Sequence, residues 1–312
     1  MTAPVFVGGD DRSGTTLVCL ILDSHPDIVV GPELEFVTPP SLGEYVVECC
    51  ELLVRGDPRA DGPGVESSDP RYLLGVQFVL QCHRFGIEPA RVGALARETM
   101  REVGGDLVRF EDRCALIDRI GELRRAEVGK PRWGIKILRH IARADSFVRV
   151  WPDARFVSVV RDGRDVAASH LRGNRGWGYT DAAEAAAGWS EVVLAAESCA
   201  APVYTLRYED LVARPAETLK SLVRWLGLSW NDALLHHEQH AHALLVNPYE
   251  HPSADAAARP VNDLAVGRYR NDLTPAEIAA FEAVAGPTLV RMGYRLEGAE
   301  IPTRLRALSR KS

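Results

Sequence analysis

The sequence holds no run of about 18 apolar residues, so a membrane-spanning helix is excluded. Its start, MTAPVFVGGDDRSGTT, has no basic stretch leading into a long apolar one, which argues against a secretory leader. No CxxC pair occurs. The six cysteines (Cys19, Cys49, Cys50, Cys82, Cys114 and Cys199) sit mostly in apolar runs, so a zinc site or disulfide framework is not expected and a reduced, cytoplasmic setting is. Positive charge is also short. Lys+Arg number 37 against 43 Asp+Glu, a net −6, which disfavours a protein that coats nucleic acid. Only four of those cations are lysines: Lys130, Lys136, Lys220 and Lys311. Missing too are G-x-G-x-x-G, G-x-S-x-G and H-E-x-x-H, the marks of a dinucleotide fold, an α/β-hydrolase and a zincin. The histidine-dense His236–His242 stretch has its spacing one residue short of the last pattern, so no metal is expected there.

What remains is the composition of a soluble globular chain of 312 residues, 46% hydrophobic and 26% charged. Pro4–Gly9 reads as a strand closed by glycines, Thr15–Ser24 as a helix and Ile28–Val30 as a second strand ending at Gly31-Pro32. This βαβ opening implies a parallel sheet. From about 39 to 130 the pattern turns helical (Leu42–Val54, Tyr72–Phe85, Ala90–Val103). Strands return at Trp133–Ile137, Arg155–Val160 and Val203–Arg207. Between and after them come helices over Ile141–Val150, Asp165–Leu171, Thr180–Ala200 (with Thr180 as N-cap), Glu217–Leu226 and Thr274–Met292. Residues 243–272 lack periodicity and read as a long functional loop. The expectation is one α/β domain over 1–312, a parallel sheet flanked by helices, with a helical insertion at about 39–130.

Two segments carry chemistry. Gly9–Thr16, GDDRSGTT, has the frame of a phosphate-binding P-loop between strand and helix, with Thr15 where the lysine should stand. Such a loop aims backbone N–H groups and a helix N-terminus at an anion, and Arg12 supplies a cation in place of the lysine. In Arg155–Ser169, RFVSVVRDGRDVAAS, Arg161 sits at the carboxyl end of a strand and Ser169 follows eight residues later on the next helix. Ligands of parallel sheets bind at such ends, so the pair suits a second phosphate.

Together, RSGTT (Arg12–Thr16) and VVRDGRDVAAS (Val159–Ser169) resemble the two phosphate motifs of the sulfotransferases that use 3′-phosphoadenosine 5′-phosphosulfate (PAPS). LRYEDLVARPAETLKSLVRWLGL (Leu206–Leu228) is similar to a further segment of that family. DRSGTTLVCLILDSHPDIVVGPELE looks closest to the branch of tyrosylprotein sulfotransferases and their bacterial relatives. The resemblance implies a P-loop-type fold and PAPS as co-substrate, with no metal. It implies that Arg12, Ser13, Gly14, Thr15 and Thr16 hold the 5′-phosphosulfate, and that Arg161 and Ser169 hold the 3′-phosphate. Arg172 is a weaker candidate there. Tyr208 would lie along the adenine, and Arg268 in AVGRYRND would close over the nucleotide, with Arg259 and Arg270 as alternatives. The general base falls on Glu33, where Pro32 replaces the first acid of the family's acidic pair and Glu35 is the nearest competitor. Lys136, charged within the apolar strand WGIKI, would neutralise the leaving phosphate. The expected acceptor is a small-molecule hydroxyl, with neither nucleic acid nor membrane as partner. A P-loop small-molecule kinase and a non-catalytic nucleotide-binding protein are the alternatives.

Overall fold

Residues 3–56, 70–173, 178–242 and 254–298 are described by the computed structural model. Strand β1 is Val5–Gly8, wholly buried. A strand covered on both faces reads as a continuous apolar run, as VFV does. Phe6 points to one face of the sheet and Val5 and Val7 to the other. Helix α1 (Thr15–Asp23) follows, then β2 (Ile28–Glu33). β2 runs past Gly31-Pro32, where the sequence pattern predicted its end. It is an edge strand of the sheet, where a proline is tolerated, and its pairing slips between Gly31 and Glu33.

Helices α2 (Gly43–Val54), α3 (Pro70–Arg84), α4 (Pro89–Val103) and α5 (Phe110–Glu127) fill the interval before β3 (Arg132–Leu138). The fourth of these was not predicted. Its charged residues outnumber the thin buried stripe of Cys114, Leu116, Ile117 and Ile120, so its periodicity is faint. Instead of the helix predicted over Ile141–Val150, the chain makes a 3-10 turn (Arg139–Arg143) and a short α6 (Ala144–Val148). Leu138, at φ 41°, bends the exit of β3.

β4 (Arg155–Val160), α7 (Gly163–Leu171), α8 (Ala182–Ser198), β5 (Val203–Arg207), α9 (Tyr208–Ala213) and α10 (Pro215–Leu226) come next. The N-cap of α8 is Asp181, whose side chain accepts from the Glu184 N–H, rather than Thr180. Within the stretch read as irregular, the described part holds two short helices, α11 (Ala254–Ala257) and α12 (Tyr269–Asp272). α13 (Pro275–Arg291) opens with a Thr274–Glu277 capping box.

All five strands pair in parallel, in the order β2-β3-β1-β4-β5. On one face Phe6 anchors an aromatic cluster, with ring centroids 5.4 Å from Phe156, 5.0 Å from Phe147, 5.2 Å from Trp151 and 6.0 Å from Trp133. α1 and α10 pack on the other face. Buried Arg164 ties α7 to α13 through Asp162 at 2.7 Å and Glu282 at 2.5 Å. The carboxyl ends of the strands border a cleft.

Candidate active site

The loop after β1 is shaped by two glycines. Gly9 has φ 142°, and a Cβ there would lie 2.3 Å from the Val159 carbonyl oxygen. Gly14 has φ 99°, and a Cβ there would lie 2.7 Å from the Tyr208 ring. Between them Arg12 adopts φ 68°, a conformation that costs energy for a residue with a side chain and gathers at functional sites. The N-cap of α1 is Gly14, which has no side chain to cap the first turn, and buried Ser13 Oγ has no hydrogen-bond partner among the described residues. The loop therefore presents an uncapped helix terminus and an orphaned hydroxyl, a setting suited to an anion.

Arg12 Nε donates to Ser169 Oγ at 3.0 Å, which joins the loop to α7. Arg161 Nη1 donates to the Arg12 carbonyl at 3.2 Å, and Nη2 to the Ala265 carbonyl. The Arg161 guanidinium also stands 5.1 Å from the Tyr208 ring centroid, while its buried Nε has no hydrogen-bond partner among the described residues. Asp165 accepts from the N–H groups of Gly267 at 2.8 Å and Tyr269 at 2.9 Å, which fixes the segment that carries Arg268.

On the other side of the loop, Glu33 faces Lys136 across the β2–β3 register, Oε2 to Nζ 3.7 Å. The longer β2 is what brings them together. Burial pushes the Glu33 carboxyl above its usual range; Lys136 opposes the shift, and Asp11 and Glu35 add to it. Glu35 differs. Burial would raise it, but His140 Nε2 at 2.8 Å and the N–H groups of Val37 and Thr38, each at 2.9 Å, bring it below the usual range. Glu35 is thus held as an anion, while Glu33 is poised to take up a proton.

One cleft of about 610 Å³ is lined by Arg12, Gly14, Thr15, Thr16, Glu33, Lys136, Arg161, Ser169, Tyr208 and Arg268. Ser13 is buried within the same loop. The strand order spreads the cleft out: Glu33 on β2, Lys136 on β3, the glycine loop after β1, Arg161 after β4 and Tyr208 after β5. Arg172 stays out of it, bonded at 2.6 Å to both the Asp272 carbonyl and Glu277. Arg270 pairs with Glu297 at 2.5 Å. Arg259 lines a neighbouring cleft of about 210 Å³ that shares Tyr208 and Arg268. The histidine-dense stretch serves as a clamp: His237 bonds the Ala257 carbonyl at 2.9 Å and His242 bonds Asp23 at 2.7 Å.

Sequence reasoning missed two groups. Asp10, almost wholly buried in the loop, takes hydrogen bonds from Arg139 at 3.1 Å and Tyr179 at 2.9 Å. An acid directly after a buried strand and a glycine pair was the available signal. Gln77, Phe78 and Gln81 of α3 line the β2 side of the cleft, and nothing in the sequence marked them.

A profile described as the sulfotransferase family matches residues 4–232. The chain belongs to the sulfotransferase family. This sulfotransferase is 28% identical over 306 residues to protein-tyrosine sulfotransferase 1 of Danio rerio, covering 93% of this chain and 72% of that one. The human protein of the same name is 24% identical over 303 residues, 93% and 69% of the two chains. The Drosophila melanogaster protein-tyrosine sulfotransferase is 23% identical, with 51% of its length covered. The fold is shared with the sulfotransferase domain of the Synechococcus PCC 7002 olefin synthase (TM-score 0.62, 18% identity, 95% of this chain and 98% of that one). It is shared equally with the sulfotransferase domain of the curacin biosynthetic pathway (TM-score 0.60, 14% identity, 95% and 99%). Membership makes this sulfotransferase a transferase of sulfuryl groups. Among the described residues, no helix is long and apolar enough to cross a membrane.

Proposed function

We propose that the chain transfers a sulfuryl group from PAPS to a hydroxyl of a small acceptor, with Glu33 as general base. The observation that carries this reading is the Glu33–Lys136 pair, 3.7 Å apart, in the same cleft as an anion-shaped loop and the linked Arg12, Ser169 and Arg161. The orphaned Ser13 Oγ and Arg161 Nε fit a ligand rich in oxygen.

PAPS supplies an activated S–O bond whose cleavage releases adenosine 3′,5′-bisphosphate. Ser13, Gly14, Thr15 and Thr16 would hold its 5′ end with backbone and hydroxyl donors. Arg161 and Ser169 would hold the 3′-phosphate, Tyr208 would flank the base and Arg268 would close the nucleotide side. At the β2 end, Glu33 accepts the proton of the acceptor hydroxyl as its oxygen bonds to sulfur. Lys136 and Arg12 then neutralise the charge that grows on the departing phosphate oxygen. Positioning and electrostatics supply most of the rate, as in phosphoryl transfer.

Calorimetric titration with adenosine 3′,5′-bisphosphate, set against ATP with Mg²⁺, tests the donor site. The expected result is metal-free binding of the bisphosphate that Arg161→Ala weakens by at least about tenfold, the loss of one charge-assisted phosphate contact. Preference for Mg²⁺–ATP, indifferent to Arg161→Ala, would overturn the reading and favour a kinase.

A further inference from the structure

The glycine loop rests on a buried carboxylate. The carbonyl of Asp10 accepts from the Ser13 N–H at 3.2 Å, so Asp10 is the base of the turn that carries Arg12. Its side chain, 1% exposed, points away from that turn into a closed set of hydrogen bonds. Arg139, directly after β3, donates to Asp10 Oδ1 at 3.1 Å and to the Tyr179 hydroxyl. Tyr179, ahead of α8, donates in turn to the same carboxylate, 2.9 and 3.0 Å from its two oxygens. The Tyr179 ring stands edge-on to His170, with centroids 4.8 Å apart, and His170 is the neighbour of Ser169 on α7. One carboxylate thus joins the loop of Arg12 and Ser13, the end of the strand of Lys136 and the helix of Ser169. Asp10, Arg139 and Tyr179 do not themselves line the cleft.

We propose that Asp10, held by Arg139 and Tyr179, is a positioning residue that fixes the glycine loop in the shape that grips the 5′-phosphate of the nucleotide. The inference rests on the donor-site reading above. By charge alone an acid beneath an anion-binding loop is unfavourable. Burial pushes the Asp10 carboxyl up to about 6, against the pull of Arg139 and Tyr179, and neighbouring Asp11 adds to the rise. The gain is geometric. Arg12 is held at φ 68°, and such a backbone persists only where its surroundings over-determine it. β3 and β4 flank β1 in the sheet. From the β4 side the loop is pinned by Arg161, on the Arg12 carbonyl, and by Ser169 on its side chain. From the β3 side it is pinned by Arg139 through Asp10. A loop released on one side samples other shapes, and its affinity falls by the fraction of time spent out of the binding one.

Calorimetry on the full chain at pH 8, where Asp10 is ionised, tests this with two ligands, adenosine 3′,5′-bisphosphate and adenosine 3′-monophosphate. The ratio of their affinities measures the grip on the 5′-phosphate, and the monophosphate reports whether the rest of the site is intact. Tyr179→Phe keeps the ring against His170 and every charge in place, and removes one hydroxyl. It should shrink the ratio by about fivefold or more, the worth of one hydrogen bond, with the monophosphate bound as in the wild type. Asp10→Asn should shrink the ratio too, although removing a negative charge beside the anion would by itself enlarge it. The proposal is overturned if Tyr179→Phe leaves the ratio unchanged. It is overturned if Asp10→Asn enlarges the ratio, which would make the role of Asp10 one of charge. It is also overturned if both ligands weaken equally, as a general loss of structure would cause. A wild-type chain that binds neither ligand marks the failure of the donor reading, which takes this proposal down with it.

Discussion

Glu33 is a carboxylate kept partly out of water with Lys136 beside it. Replacing it by glutamine keeps the shape and removes the proton acceptor. Glu33→Gln should lower kcat by ~10²–10⁴-fold, the usual worth of a positioned base, while bisphosphate affinity measured by calorimetry stays unchanged. The pH profile has a definite sign. Activity needs the ionised carboxylate, so kcat/KM rises with pH, and its midpoint lies above the ordinary carboxylate range because burial raises this group. Lys136 holds the midpoint down, so Lys136→Met should move it to higher pH as well as slow the reaction. A profile that is flat across the acidic range would exclude Glu33 as the base. At this scale the sequence was largely readable. Arg161 directly follows β4 and Ser169 lies on the next helix, so their spacing alone brings them to one cleft. Asp10 was not readable, because Arg139 and Tyr179 reach it only through the fold of the sheet.

Among the elements, the turn from β1 into α1 has the least freedom. Gly14 combines a left-handed φ with contact against the Tyr208 ring. In Gly14→Ala the added methyl must displace that ring and bear backbone strain of about 1–3 kcal/mol. Bisphosphate binding should weaken by about tenfold or more, and calorimetry reads it directly; unchanged affinity would show that the loop shape does not matter to the donor. Elements with strong apolar periodicity were legible, as in β1, α1, α10 and α13. α5 was not, since charge masks its narrow buried stripe, and the end of β2 was not, since Gly31-Pro32 looks like a stop. The second case matters more. Three further residues of strand, Gly31 to Glu33, are what set Glu33 opposite Lys136.

For the whole molecule, Asp10 makes stability depend on acid. Burial lifts its carboxyl to about 6 from a usual 3.8, against the pull of Arg139 and Tyr179. The folded chain therefore binds this proton more tightly than the unfolded one does. The stability it contributes is fully present below pH about 4 and is lost as pH rises through about 6, a change of at most about 3 kcal/mol. Urea unfolding at stepped pH should show that decline, and Asp10→Asn should flatten it. A wild-type curve without the decline would mean that Asp10 is ionised throughout.

β2 and β3 are neighbours in space, yet the chain travels through four helices, counted among the described residues, to get from one to the other. That excursion starts just after Glu33 and ends just before Lys136, and it brings the glutamines of α3 to the rim of the cleft. The loop, Arg161, Ser169, Tyr208 and Arg268 belong to stretches outside it. Evolution can thus rewrite one continuous paragraph of the gene to change the guest, while the words that grip the nucleotide stay as they are.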